Sequence, residues 1–232
     1  MKNIEICLSP DLVHLHDVKG KCVVVVDILR ATSSMVSGIA HGVGSIIPVT
    51  SVEKCKELQA TGCLAAGERG GEKVAGMDMG NSPFSYMEES LKGRNIAMTT
   101  TNGTVAIEKS SEADHILIGA FLNISAVAQK VKELNQDTLI FCAGWKGRVN
   151  AEDTLFAGNL IDLITDTHMY ADDATRMAYT LYKGVEDSLK EYLMQCDHAK
   201  RLERLNIRKD ISFCLKKDEY SIVPECIDGR IK

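Results

Sequence analysis

Two stretches of the chain run from an apolar segment into a hydroxyl-rich turn, and the residue types in those turns are ones that bind anions and cations. In residues 23–34 four valines lead into Asp27, Ile28, Leu29, Arg30, Ala31, Thr32, Ser33 and Ser34. In residues 95–106 the turn is neutral, with Thr99, Thr100, Thr101, Asn102, Gly103 and Thr104. A turn that opens a helix offers backbone N–H groups without intrahelical partners at the positive end of the helix dipole, which attracts phosphate, sulfonate or carboxylate. Asp27 adds an oxygen ligand for a hard cation, and Arg30 adds a planar fork for an oxyanion. Two such turns predict two anion sites.

In open parallel sheets ligands bind outside the carboxyl ends of the strands, where Asp27, Glu68, residues 99–101 and the Gly144 loop should all project. Carboxylates gathered on one edge repel unless a cation or proton intervenes, and oxygen donors without histidine or cysteine favour Mg²⁺. Asp27, Glu68, Glu152, Asp153 and Asp172 are the candidates. Each also has a plainer role: Asp27 and Asp172 as helix caps, Glu68 as a partner of Arg69, Glu152 and Asp153 as acids offsetting a helix dipole. Trp145 either stacks on a ligand or covers its loop. The histidines show no ligand spacing, and the cluster Lys200, Arg201, Arg204, Arg208 and Lys209 reads as a solvated helix face.

These residues need a scaffold of alternating strands and helices. Strands are expected at residues 1–8 (an edge), 23–26, 46–49, 64–66, 96–98, 116–118 and 139–142, and helices at 33–41, 51–60, 104–110, 125–134 and 152–164. This alternation predicts an α/β fold: three-layer α/β/α with a mostly parallel sheet. The succession strand, turn, helix, strand, helix repeats at a period of about 75 residues, which suggests two pseudo-repeated βαβ halves. The chain reads as a single domain over 1–232, with lobes near 1–90 and 91–232 as an alternative division. Residues 67–83 are glycine-rich and read as an ordered functional loop. Residues 171–205 read as a helical run packed across the sheet, and the tail from 210 to 224 as ending in a strand or extended segment without chemistry.

Composition removes several classes. A net charge of −5 with interspersed signs argues against a nucleic-acid surface, and no apolar run approaches the length of a membrane span. The chain reads as cytoplasmic. Eight scattered cysteines without a C-x-x-C pair argue against zinc or a disulfide framework. The Asp-x-Asp-x-Thr, P-loop, dinucleotide and Gly-x-Ser-x-Gly patterns are absent from the sequence. The Met-rich stretch 77–87 and the long helix are the candidate contact surfaces of a homo-oligomer.

Read in order, Val-Asp-Ile-Leu-Arg-Ala-Thr-Ser-Ser (26–34), Gly-Glu-Arg-Gly-Gly (67–71), Gly-Asn-Ser-Pro (80–83), Thr-Thr-Thr-Asn-Gly-Thr (99–104) and Ala-Glu-Asp-Thr-Leu-Phe-Ala-Gly (151–158) closely resemble the 2-phosphosulfolactate phosphatase (ComB) family. The match covers about residues 5–225. The resemblance implies a Mg²⁺-dependent phosphatase that converts 2-phospho-3-sulfolactate to 3-sulfolactate and phosphate, a step towards coenzyme M. Phe156 stands where a small residue or Cys is expected, a departure that touches packing. A small substrate carrying phosphate, carboxylate and sulfonate would explain two anion turns. On that reading Asp27 and Glu68, with Glu152 or Asp153, hold Mg²⁺, and Arg30, Thr32 and Ser33 offset transition-state charge. Thr100, Thr101, Asn102, Gly103 and Thr104 then grip the remaining anions, with Arg69 as an extra cation. A phosphatase for another phosphorylated hydroxy acid and a non-catalytic anion-binding module stay open as alternatives.

Overall fold

The four valines are stiff at χ1 and suit a strand covered on both faces. In the computed structural model, which describes residues 1–205 and 207–232, they lie in a fully buried strand, β2 (Cys22–Val26). It sits inside a five-stranded, wholly parallel sheet, in the order β7 (His115–Gly119), β2, β8 (Thr138–Cys142), β1 (Lys2–Cys7), β9 (His168–Tyr170). Helices flank this sheet, giving the expected three layers: α3 (Gly103–Lys109) packs on β2, α4 (Ile124–Leu134) on β7, α5 (Ala151–Ile164) on β8, and α6 (Asp173–Val185) on β1 and β9.

The remaining strands form a second sheet that the sequence reading did not separate from the first. Its order is β10 (Cys226–Ile227), β11 (Arg230–Ile231), β3 (Ser45–Pro48), β6 (Asn95–Thr99), β4 (Leu64–Arg69), β5 (Glu72–Lys73). The inner trio is parallel; the two ladders outside β3 and the one outside β4 are antiparallel. Each sheet takes strands from both sides of residue 90, so the sheets do not divide the chain there.

The repeat has a specific geometry. The first copy is β2, α1 (Ala31–Ala40), β3, α2 (Val52–Ala60), β4, and the second is β6, α3, β7, α4, β8. In the first sheet β2 lies between β7 and β8; in the second β6 lies between β3 and β4. Each copy's leading strand is therefore inserted between the two later strands of the other copy. The exchange carries the chain from one sheet to the other through α1, and back through α3.

Several local expectations are corrected. β1 pairs with β8 and also with β9, so it is not the sheet edge; the short β9 lacked a sequence signal and takes that place. The helical run after residue 171 breaks into α6, a 3-10 turn, α7 (Leu189–Leu193) and α8 (Asp197–Arg204). The tail contains a helix, α9 (Arg208–Cys214), before its closing hairpin. Met77 and Met79 are buried in the protein's own core instead of forming a surface. Phe156 is fully buried edge-on to Phe121, and it fits beside β7 because residue 119 is Gly. No described helix is long and apolar enough to cross a membrane.

Candidate active site

Asp27 follows β2, and one of its oxygens holds the turn together. Oδ1 accepts the Ala31 N–H (3.3 Å), while the Asp27 N–H donates to Thr32 Oγ1 and the Asp27 carbonyl accepts the Thr32 N–H, both at 3.0 Å. Ser33 Oγ donates to the Ile28 carbonyl at 2.8 Å. Thr32 and Ser33 are thus fully buried, with their hydroxyls engaged inside the turn.

The second turn runs the same circuit with threonine in the place of aspartate. Thr100 Oγ1 accepts the Thr104 N–H (3.2 Å), and Thr104 Oγ1 accepts the Thr100 N–H (3.3 Å). Both side chains are buried and satisfy the helix start locally, as capping residues do. Of the hydroxyls expected to bind anions, those of Thr32, Ser33, Thr100 and Thr104 therefore close the turns. Thr99 accepts from Arg69 Nη2 at 3.0 Å, which directs that exposed arginine along the sheet edge.

The two turns meet. A Cβ on Gly103 would stand 2.8 Å from both Ala31 Cβ and Asp27 Oδ2, so only glycine permits this approach. Beside the contact is a small, partly open cavity of about 20 Å³, space for roughly one water. Asp27, Arg30, Glu68, Thr101 and Asn102 line it, so both turns and the end of β4 contribute to one site.

Glu68 is pinned by the Gly71 N–H on Oε1 and by Thr101, whose N–H and hydroxyl donate to Oε2 at 3.4 and 3.2 Å. Burial, then the nearby Glu68 and Glu152 charges, push the Asp27 carboxyl up to about 6 against the Ala31 N–H bond, which pulls it down. Asp153 is raised well above the usual carboxylate range by burial and by Glu152 and Asp27. Both its oxygens are taken: Ile28 N–H (2.9 Å) on Oδ1, Gly144 N–H (3.0 Å) and Asn150 Nδ2 (2.9 Å) on Oδ2. Asp153 ties the ends of β2 and β8 together.

Arg30 forms an ion pair with Asp210 of α9, and its Nη2 donates to the Gly71 carbonyl at 2.9 Å. The tail thus does carry part of the site. The Gly70 carbonyl in turn accepts from Arg201 Nη1 at 3.0 Å. Gly70 and Gly71 have φ of 66° and 94°, a backbone that favours glycine, and this lets consecutive carbonyls hold two arginines. The glycine loop serves as an arginine holder.

Sequence reasoning singled out Trp145 but missed the other two residues of the cover. Trp145, His198 and Arg201 all line the cavity, with the Trp145 ring stacked 6.0 Å from His198 and 4.6 Å from the Arg201 guanidinium. His198 Nδ1 is hydrogen-bonded to Glu152 Oε1. His198 and Arg201 lie three residues apart on α8, a spacing that does place them on one face, but nothing in the sequence says what that face covers. Asp172 accepts the Thr175 N–H at 2.8 Å and caps α6 instead of joining the site.

Known proteins resemble the chain along nearly all of its length. A family model described as 2-phosphosulpholactate phosphatase matches residues 7–229. The chain belongs to the 2-phosphosulpholactate phosphatase family. It is thereby an enzyme of the phosphoric monoester hydrolase class. Three family relatives named "Probable 2-phosphosulfolactate phosphatase" are similar to it. That of Caldanaerobacter subterraneus subsp. tengcongensis is 40% identical, over 93% of this chain and 92% of the relative. That of Clostridium acetobutylicum is 39% identical over 98% and 99%, and that of Thermotoga maritima 37% over 91% and 92%.

The cavity's donors bear on the divalent cation that the family resemblance implies. Among the described residues no three His, Cys, Asp or Glu side chains form a ready-made cage. Mg²⁺ does not require one, because it is held by one or two carboxylates together with water and substrate oxygens. Asp27 and Glu68 line one cavity, and the Glu68 charge adds to the cost of ionising Asp27, which a cation would relieve; they fit. Glu152 keeps a buried, partnerless Oε2 behind His198, but neither it nor Asp153 lines the cavity, and the Asp153 oxygens turn to Ile28, Gly144 and Asn150 instead.

Proposed function

We propose that this enzyme hydrolyses 2-phospho-3-sulfolactate to 3-sulfolactate and phosphate with the help of Mg²⁺ at the cavity between the two turns. The observation that supports this most is the convergence of Asp27 and Glu68 with Arg30 and Arg201 on one cavity, in a chain of this family. Acid and base together in one pocket suit a phosphate ester: the carboxylates suit a cation, and the guanidiniums suit oxyanions.

Asp27 and Glu68 would hold Mg²⁺, which when bound supplies positive charge against the phosphoryl oxygens. Arg30 keeps N–H donors beyond the two engaged with Asp210 and Gly71, and it presents them in a fixed plane to the oxygens that gain charge as the ester bond breaks. Its anchoring by a buried carboxylate means that little reorganisation is needed during reaction. Thr101 steadies Glu68, and Asn102 Oδ1 accepts the Lys146 N–H at 3.2 Å, fastening the Trp145 loop to the second turn. Trp145 covers part of the cavity and limits its contact with bulk water, which strengthens each of these electrostatic contacts.

Phosphate release from 2-phospho-3-sulfolactate, with Mg²⁺ and after chelation, tests the reading. Turnover that depends on Mg²⁺ and is lost in Asp27→Asn is expected. Release that is insensitive to both would exclude the proposed site.

A further inference from the structure

The two guanidiniums at the cavity differ in kind. The charge of Arg30 is compensated within the protein by buried Asp210. Arg201 has no carboxylate partner among the described residues: Nη1 donates to the Gly70 carbonyl, Nη2 meets His198 Nε2 at 3.0 Å, and its Nε is buried without a partner. A buried donor left unpaired costs free energy, so a native structure that keeps one next to a substrate cavity has a use for it.

Its placement indicates the use. The cavity, at about 20 Å³, is too small for a three-carbon phospho-acid, but a second hollow of about 280 Å³ adjoins it. Arg201 lines both spaces, as do Trp145 and His198, while Asp197, Lys200 and Arg204 line only the outer one, two cations against one acid. A substrate with its phosphoryl group against Asp27 and Arg30 must extend past this layer. The Arg201 guanidinium carbon sits 4.6 Å from the centre of the Trp145 ring, and with Nε unpartnered and one hydrogen left on each of Nη1 and Nη2 it keeps N–H donors for a carboxylate or sulfonate.

We propose that Arg201 receives the substrate's second anionic group, a sulfonate or carboxylate, and so sets the preference for phosphorylated hydroxy acids that carry such a group over plain phosphomonoesters. The inference rests on the phosphatase reading above. Arg201 acts in recognition: it anchors the part of the substrate that does not react, and Trp145 holds it ready to do so.

The test compares kcat/KM for three substrates: 2-phospho-3-sulfolactate, 2-phospholactate and methyl phosphate. In Arg201→Met the loss on 2-phospho-3-sulfolactate should exceed the loss on methyl phosphate by roughly 10- to 100-fold, carried mainly by KM. If 2-phospholactate loses as much, Arg201 takes the carboxylate; if it follows methyl phosphate, Arg201 takes the sulfonate. Arg201→Lys keeps the charge without the fork, and its preference should fall by a smaller factor, which decides the matter should Arg201→Met not fold. Calorimetry with 3-sulfolactate should show weaker binding to the variant by a similar factor. Equal losses on all three substrates, or no change in preference, would overturn the role of Arg201 alone. A wild-type enzyme that releases no phosphate from 2-phospho-3-sulfolactate would overturn the phosphatase reading and this inference together.

Discussion

The turns after β2 and β6 are built to one plan, yet one carries chemistry and the other holds it in place. In each, the side chain just past the strand accepts an N–H from the first helical turn, and a threonine of that turn returns a hydroxyl to the strand end. Thr100 has a single side-chain oxygen, and the circuit takes it. Asp27 has two: Oδ1 completes the same circuit, and Oδ2 remains, packed against Gly103 at the cavity. The difference between a cap and a candidate ligand is thus one oxygen atom at equivalent positions of a repeat.

The sharpest way to break this comparison is to remove charge from the first turn while keeping its cap. Asp27→Asn retains an oxygen for the Ala31 N–H, and its kcat/KM on 2-phospho-3-sulfolactate should fall about 10²- to 10⁴-fold with the circular dichroism spectrum preserved. Less than a tenfold loss would make Asp27 a cap like Thr100.

The same variant should show the opposite sign in stability. The folded Asp27 carboxyl is raised to about 6 from an ordinary 3.8, so between these values the native state binds more protons than the unfolded chain. Stability without metal is therefore fullest below pH 4 as far as this group is concerned and declines as pH rises through about 6. Above pH 7 the decline amounts to at most about 3 kcal/mol, and Asp27→Asn should recover much of it. Chemical denaturation at pH 5 and pH 8 in chelator checks this; a variant that is less stable at pH 8 would show that ionised Asp27 is favoured by the fold.

Smaller effects probe how the turns touch. Gly103→Ala places a Cβ 2.8 Å from Ala31 Cβ and Asp27 Oδ2, which should cost about 1–3 kcal/mol of stability and lower turnover by moving the turns apart. Thr100→Val leaves the Thr104 N–H without its acceptor and should cost about 1 kcal/mol in thermal denaturation. Its loss of kcat/KM should stay at least tenfold below that of Asp27→Asn. If Thr100→Val were the more damaging to turnover, the second turn would be the reactive one.

Much of the scaffold was legible. The β-branched run 23–26, the hydroxyl turns and the helical spacing of 125–134 are local signals, and local propensity was followed because tertiary packing agreed with it. β9 was missed because three residues, His168–Tyr170, give no periodicity, and α9 because its seven residues hold few apolar positions. The site was legible only in part. Asp27, Glu68 and Arg30 announced themselves by position at strand ends, but Arg201 sits in a mixed-charge helix that looks solvated in one dimension. Asp210 and His198 likewise acquire their surroundings only from segments far away in sequence.

By itself the sequence determined the strand and helix grammar, the family and the two turns, because each depends on residues within a few positions of one another. The tertiary structure decided that the halves exchange their leading strands, that the two turns press on one glycine to make a single cavity, and that α8 closes it. Those outcomes depend on which surfaces bury each other across more than a hundred residues, and no local pattern of side chains records that pairing.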